Sequence, residues 1–326
     1  MLSIYSRFVA LSTLLLIVAG AMVTSTGSGL AVPDWPTSYG YNMFTFPLSS
    51  MVGGIFYEHG HRLIASTVGF LTIILAVWLW LRAGTPRWLR RLGVIALAGV
   101  ILQGVLGGIT VLFFLPAPVS IGHAGLAQIF FCLTVSIALF TSHGWITGYR
   151  RPDAGTDTVD DLRLRRLTLA TAALIYIQIL LGATMRHTGA GLAIPDFPLA
   201  FGRLIPGDWS AAIAIHYAHR LGALGAAAMV LVTASHVFRH HAGNRALQGP
   251  AILLVVLVAI QITLGAYVIW TGKAVPINSA HVATGALVLA TSVVLALRAY
   301  RVLFATSAAP SRGSLRATHL LAPHEI

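Results

Sequence analysis

The sequence contains few charged residues and a single cysteine. Only 9% of its 326 residues are charged and 57% are hydrophobic, whereas a soluble globular domain carries about 25% charged residues. So little charge cannot cover a water-facing exterior, which excludes a soluble enzyme and indicates an integral membrane protein. The single cysteine, Cys132, excludes an intrachain disulfide and a thiolate metal cluster, and it is interpreted as a small packing residue.

Acidic residues are also scarce, so the chain is strongly basic. Nine acidic and 21 basic residues give a net charge of +12, a balance that can indicate nucleic-acid binding. Cytoplasmic segments of membrane proteins are also rich in Lys and Arg. A spanning helix needs about 20 mostly apolar residues, and the sequence predicts eight such spans, near 8–26, 59–82, 92–114, 120–142, 167–186, 211–238, 250–271 and 279–304.

The basic residues between these spans sort to one side of the predicted membrane. Sixteen arginines fall on the side of the termini, and only Arg186, Arg203 and Lys273 fall on the other. This bias predicts a multi-pass protein of the cell (inner) membrane with both termini in the cytoplasm. The membrane topology then accounts for the net positive charge. The expected partner is the lipid bilayer, and no nucleic-acid partner is expected. Two long loops, 27–57 and 187–210, are expected outside.

The chain contains an internal repeat. Residues 26–36 read TGSGLAVPDWP and residues 188–198 read TGAGLAIPDFP, with eight of eleven positions identical. The repeat predicts an all-α polytopic membrane protein made of two pseudo-symmetric four-helix bundles, both in the same orientation. We expect an N-terminal half at 1–149, a solvated cytoplasmic linker at 150–166, a C-terminal half at 167–304 and a disordered cytoplasmic tail at 305–326.

Four of the 13 histidines are related by the repeat and lie near the outward ends of even-numbered spans. Ionisable groups at membrane depth are costly and mark functional sites, although a lone intramembrane histidine is most often a hydrogen-bonded structural group. Paired imidazoles on different helices suit the axial ligation of haem iron, whereas zinc prefers three or four ligands. The four are His61, His123, His219 and His281. Six others were assigned to solvated cytoplasmic segments: His143, His236, His240, His241, His319 and His324.

The two halves differ in one position beside these histidines. Glu58 precedes His61 by three residues, and the equivalent place before His219 holds His216. A carboxylate at membrane depth can accept a proton or stabilise positive charge; alternatively, Glu58 is an interfacial acid favoured by a helix N-terminus. Arg62 and Arg220 follow the repeat histidines and are candidates for contacts with haem propionates or for ordinary interface anchoring.

The combination Glu58-x-x-His61-Arg62, His123, His219-Arg220 and His281, set in two four-span halves, resembles haem A synthase. The resemblance implies an oxidoreductase that converts the C8 methyl group of haem O to a formyl group through a hydroxymethyl intermediate. It implies a haem b whose iron is held by His219 and His281, and which takes up electrons.

The same resemblance assigns the substrate side of the reaction. It implies that His61 and His123 bind the iron of haem O, with catalytic Glu58 beside the reacting carbon. Haem O synthase and cytochrome oxidase assembly factors are the implied partners. Many bacterial relatives have a cysteine pair in the first outward loop, but residues 27–57 contain none, so no thiol step in that loop can operate here.

Two other functions fit paired histidines. A quinol-linked di-haem b-type electron carrier would use both pairs, but it predicts equivalent halves and has no role for Glu58. A haem transporter or chaperone would also have repeats and transient ligation. The haem content of the purified protein distinguishes these functions from an enzyme.

Overall fold

The protein is helical in a computed structural model that describes residues 1–147 and 161–307. Within those ranges the only extended pairing is two isolated bridges, Ser38 with Tyr41 and Ala200 with Arg203. The helices are α1 (Leu2–Ser25), α2 (Gly53–Leu81), α3 (Arg87–Leu112), α4 (Ala117–Phe140), α5 (His143–Thr147), α6 (Leu162–His187), α7 (Ala211–His240), α8 (Arg245–Trp270) and α9 (Val275–Ser307).

Eight of these helices can cross a membrane, as the sequence predicted. Their apolar segments are 24 to 30 residues long, which at about 1.5 Å per residue exceeds the roughly 30 Å thickness of the hydrocarbon core. Large apolar side chains such as Phe70, Ile101 and Leu224 are exposed on the helix surfaces, where lipid is their natural solvent. The chain is therefore a multi-pass membrane protein.

Seven of the eight spanning helices begin three to six residues before the predicted spans, because the helix starts before the apolar stretch does. In the C-terminal half the starts are capped by side chains: Asp161, Ser210 and Asn244 accept hydrogen bonds from backbone N–H groups of the first turns, which lack partners inside the helix. At the other end of α1 and α6, the repeat glycines Gly27 and Gly189 have φ of 67° and 73°, a left-handed conformation that favours glycine.

Neighbouring helices pack in the same order in each half. In the N-terminal half α1 packs on α2, α2 on α3, α3 on α4 and α4 on α1; α6 to α9 repeat this closed order. Between the halves, α1 contacts α9 and α4 contacts α6. Exchanging the halves converts one of these contacts into the other, which is what two pseudo-symmetric bundles predict.

Buried side chains form one cluster in each half and a smaller one between them. The cluster between the halves contains Ile17 of α1, Phe131 of α4 and Ala286 and Ala290 of α9. Cys132 packs beside it, in agreement with its interpretation as a packing residue. Lipid provides no hydrophobic driving force between helices, so such close contacts of small and apolar groups hold the halves together.

The two long loops leave the bundle at the same end. Arg186, in the last turn of α6, donates hydrogen bonds to the Ala21 carbonyl (3.1 Å) and the Ser25 hydroxyl (2.8 Å) of α1. The last turns of α1 and α6 are therefore adjacent. Most of the predicted linker, and the predicted tail beyond residue 307, lie outside the described residues; residues 305–307 continue α9.

Candidate functional site

Each of the four repeat histidines lies against a glycine of a neighbouring helix. A Cβ added at Gly20 would be 3.0 Å from Cε1 of His61, and one added at Gly182 would be 2.9 Å from Cε1 of His219. The distance at Gly182 is shorter than real Cβ contacts and the distance at Gly20 is at the tight end of them, so a larger residue at either position would require the ring to shift. The other two pairs are Gly107 with His123 (3.4 Å) and Gly265 with His281 (3.2 Å).

The histidines form one pair inside each half. His61 of α2 and His123 of α4 are close enough for their charges to interact, as are His219 of α7 and His281 of α9. In each closed order of four helices these two helices are not neighbours but opposite each other. The structure therefore brings together the pairs that the repeat predicted, across the interior of each bundle.

Three of these imidazoles have a buried nitrogen without a hydrogen-bond partner. They are the Nδ1 atoms of His61, His123 and His281, whereas Nδ1 of His219 lies 3.0 Å from the side-chain nitrogen of Gln178. Buried polar atoms in proteins nearly always have partners. Buried imidazole nitrogens without a partner therefore fit a ligand-binding role for these rings.

The donor set favours haem over a bare metal ion. Within residues 1–147 and 161–307, the only group of three or more metal-ligating side chains close together is Asp161, His236 and His241, which includes neither histidine pair. Two imidazoles facing each other without a third ligand suit the two axial positions of haem iron. The residues present therefore fit haem in both halves.

Glu58 is buried and clamps the first long loop to α2. The residue is 3% exposed, and its carboxylate oxygen Oε2 accepts a hydrogen bond from the Val32 N–H at 2.8 Å. Oε1 forms an ion pair with Arg62 at 2.7 Å. Because Glu58 lies beyond the first turn of α2, it is not an interfacial acid held by the helix N-terminus.

His216 forms the equivalent clamp in the second half. Its Nδ1 accepts a hydrogen bond from the Ile194 N–H at 3.2 Å, and Ile194 is the repeat equivalent of Val32. The two halves therefore differ in the acceptor, which is a carboxylate paired with Arg62 in one half and an imidazole nitrogen in the other, although each is bonded to the same loop position.

Arg62 and Arg220 donate to loop carbonyls. Arg62 bonds the carbonyls of Val32, Asp34 and Thr37, and Arg220 does the same in the second half. The anchoring interpretation thus accounts for their contacts in the structure, and binding of haem propionates stays a prediction. The second set of carbonyls belongs to Ile194, Asp196 and Leu199.

The loops are folded on themselves by an aspartate of the repeat motif. Asp34 accepts hydrogen bonds from the Tyr39 and Gly40 N–H groups and from Thr37. Burial alone would raise the pKa of Asp34, but these bonds lower it to about 2. Trp35, the next residue, lies directly against Gly108 of α3, beside the glycine that seats His123. The loop therefore packs on α3, next in sequence to the glycine that contacts His123.

A polar network between the halves escaped the sequence analysis. Ser25 of α1 is bonded to Arg186 and to Asn278 and Ser279 of α9. Arg186 is close enough to interact electrostatically with His281, so the network lies between the bundles at the level of the histidines. One signal was available, because Arg186 replaces Thr24 in the repeat.

Comparison with known proteins identifies the family of this chain. Residues 3–293 match the family model described as cytochrome oxidase assembly protein (COX15-CtaA). The chain is 28% identical to the haem A synthase of Halalkalibacterium halodurans, covering 86% of this chain and 91% of that protein. It is 30% identical to the haem A synthase of Shouchella clausii, over 81% of this chain and 85% of that protein. Since the family model spans nearly all of the eight helices, this chain belongs to the cytochrome oxidase assembly protein family.

Proposed function

We propose that this protein is a haem A synthase, an oxidoreductase that converts the C8 methyl group of haem O to a formyl group through a hydroxymethyl intermediate. The observation that carries the proposal is the pair of glycine-seated histidines in each half, combined with a buried carboxylate, that of Glu58, three residues before the first of them. The haem A synthases among its relatives support the substrate.

His219 and His281 are the residues that would hold the resident haem b. When bound, that haem supplies a one-electron redox couple able to take up the electrons removed from the substrate. The side-chain nitrogen of Gln178 donates a hydrogen bond to the His219 carbonyl at 2.7 Å and lies 3.0 Å from Nδ1 of the same residue, so it helps to fix the position of this histidine.

His61 and His123 are the residues that would bind the iron of haem O. Their nitrogens without partners and the loop that carries Trp35 suit a site that admits a substrate and then excludes water. The first-half pocket is assigned to the substrate because it alone has an acidic group beside its histidine pair.

Glu58 is the residue proposed to act on the reacting methyl group. Its two carboxylate oxygens are each used once, by Arg62 and by the Val32 N–H. A carboxylate offers about four acceptor positions, so Glu58 can accept a proton or stabilise positive charge while still clamped. Arg62 balances its charge and fixes its position.

A di-haem b-type electron carrier is the second candidate. It is favoured by one observation: the loop clamp is nearly the same in both halves, because Glu58 and His216 accept hydrogen bonds from equivalent N–H groups. A carboxylate that only clamps the loop would leave the halves functionally equivalent.

The test is co-expression of the full chain with a haem O synthase, followed by extraction and chromatography of the haems. A haem A synthase yields haem B together with haem A and its hydroxymethyl precursor. Two equivalents of stable haem B and no haem A would support the electron carrier and contradict the proposal. Copurification with haem O synthase or oxidase assembly factors, the proposed partners, is scored in the same preparation.

We also infer that both termini lie in the cytoplasm. The described arginines Arg298 and Arg301 bond the carbonyls of Ala246 and Gly144, at the end of the bundle opposite the two long loops. Concentration of arginine at this end is the pattern expected for the cytoplasmic face.

A further inference from the structure

Two histidines and an aspartate converge at the end of the C-terminal bundle opposite the long loops. Oδ2 of Asp161 lies 2.7 Å from Nε2 of His236 and 2.8 Å from Nε2 of His241. The three side chains are only 13%, 9% and 8% exposed. The prediction that these side chains are solvated is therefore wrong, because the first turn of α6 packs against the end of α7.

The convergence is supported by a second contact of the same aspartate. Oδ1 of Asp161 accepts a hydrogen bond from the Leu164 N–H at 2.7 Å and caps α6, which leaves Oδ2 directed at the two imidazoles. A carboxylate oxygen in this position is of a type that ligates zinc.

The ligand atoms match a metal site in type and spacing. The carboxylate oxygen and the two imidazole nitrogens all lie within 4.8 Å of one another, so a small movement brings each to the usual 2.0–2.2 Å from a common ion. Two histidines and one carboxylate bind first-row divalent metals with a position left open. A groove lined by Arg163, Arg239 and His240 opens beside His236 and gives an ion access.

We propose that Asp161, His236 and His241 bind one first-row divalent cation, of which zinc fits the donor set best, and that the ion joins the start of α6 to the end of α7. The site is separate from the haem-binding histidines and does not depend on the proposed function. The neighbouring arginines repel a cation, so we expect micromolar rather than nanomolar affinity.

The test uses the purified full chain with its haem, stripped of free metal by a chelator and titrated with zinc in a calorimeter. We expect one saturable zinc site, weakened at least about tenfold by His236→Ala or His241→Ala. Asp161→Asn keeps an oxygen for the helix cap but weakens ligation. His240→Ala is the matched control. The ring centroid of His240 lies 4.5 Å from that of His236, but His240 is outside the ligand set. This variant should therefore bind zinc like the wild type.

X-ray absorption at the zinc edge then identifies the ligands. Two imidazoles and one carboxylate are expected, and unchanged haem absorption in each variant shows that the bundle is intact. Absence of a saturable site, or equal losses in His240→Ala and His236→Ala, would overturn the proposal and leave a hydrogen-bonded clamp. Zinc bound by the His236→Ala, His241→Ala double variant measures binding at other sites. Wild-type zinc affinity in this double variant would also overturn the proposal.

Discussion

Gly182 and His219 are in contact across α6 and α7, and a Cβ at Gly182 would lie 2.9 Å from Cε1 of the imidazole. The same relation holds for Gly20 and His61. Gly20 and Gly182 therefore constrain the position of these two imidazole rings, and each glycine can be substituted without changing a histidine.

Gly182→Ala should displace His219 and lower the content of haem B, because the added methyl group occupies space that the ring uses. The measurement is haem B per protein by absorption spectroscopy. Gly225→Ala on α7 is the control, since nothing lies within 4 Å of its added Cβ and alanine is the better helix former by up to about 1 kcal/mol. Equal haem content in Gly182→Ala and wild type would show that the contact does not position His219.

Replacement of His219 or His281 by alanine should remove most of the haem B, because each would lose an axial ligand. His61→Ala and His123→Ala should leave much of it in place. The purified wild type should show a six-coordinate, low-spin haem spectrum, since two imidazoles give a strong axial field. If haem B loss follows the first-half histidines instead, the two pockets are assigned in reverse.

Glu58→Gln should give stable protein with normal haem B and little or no haem A. Glutamine keeps the size and an acceptor for the Val32 N–H, but it carries no charge and takes no proton; loss of a general base costs about 10²–10⁴ in rate. Haem O or the hydroxymethyl intermediate should accumulate in extracts.

His216→Gln is the matched control for Glu58, because it replaces the acceptor of the equivalent clamp at Ile194. It should leave haem A formation largely intact. A similar fall in protein yield in both variants, with activity per molecule preserved, would mean that Glu58 only holds the loop. Near wild-type haem A from Glu58→Gln would contradict a catalytic role for Glu58.

Reporter fusions test the orientation. Fusions after Arg90, within 150–163 and at the C-terminus should report the cytoplasm, because the basic residues concentrate on that side. Fusions near Tyr41 or Arg203 should report the outside. The opposite pattern would invert the bundle and put the histidine pairs near the cytoplasmic face.

The apolar spans were sufficient to predict the eight helices, and the repeat was sufficient to predict which four histidines form pairs. Both signals are local: span length follows from bilayer thickness, and duplicated motifs place His61 with His219 and His123 with His281. Gly107 and Gly265 occupy equivalent positions in the two halves of the sequence, but the sequence does not show that they contact the rings of His123 and His281.

The sequence by itself determined the membrane class, the halves and the paired imidazoles, because composition, length and duplication are properties of the chain alone. Tertiary structure decided which groups meet. It placed Asp161 on His236 and His241, although they are 75 and 80 positions apart, and it gave Glu58 and His216 the same hydrogen bond despite their different chemistry. Hydrogen bonds form between groups that packing brings within about 3 Å, and no local pattern records which distant helix ends will be packed together.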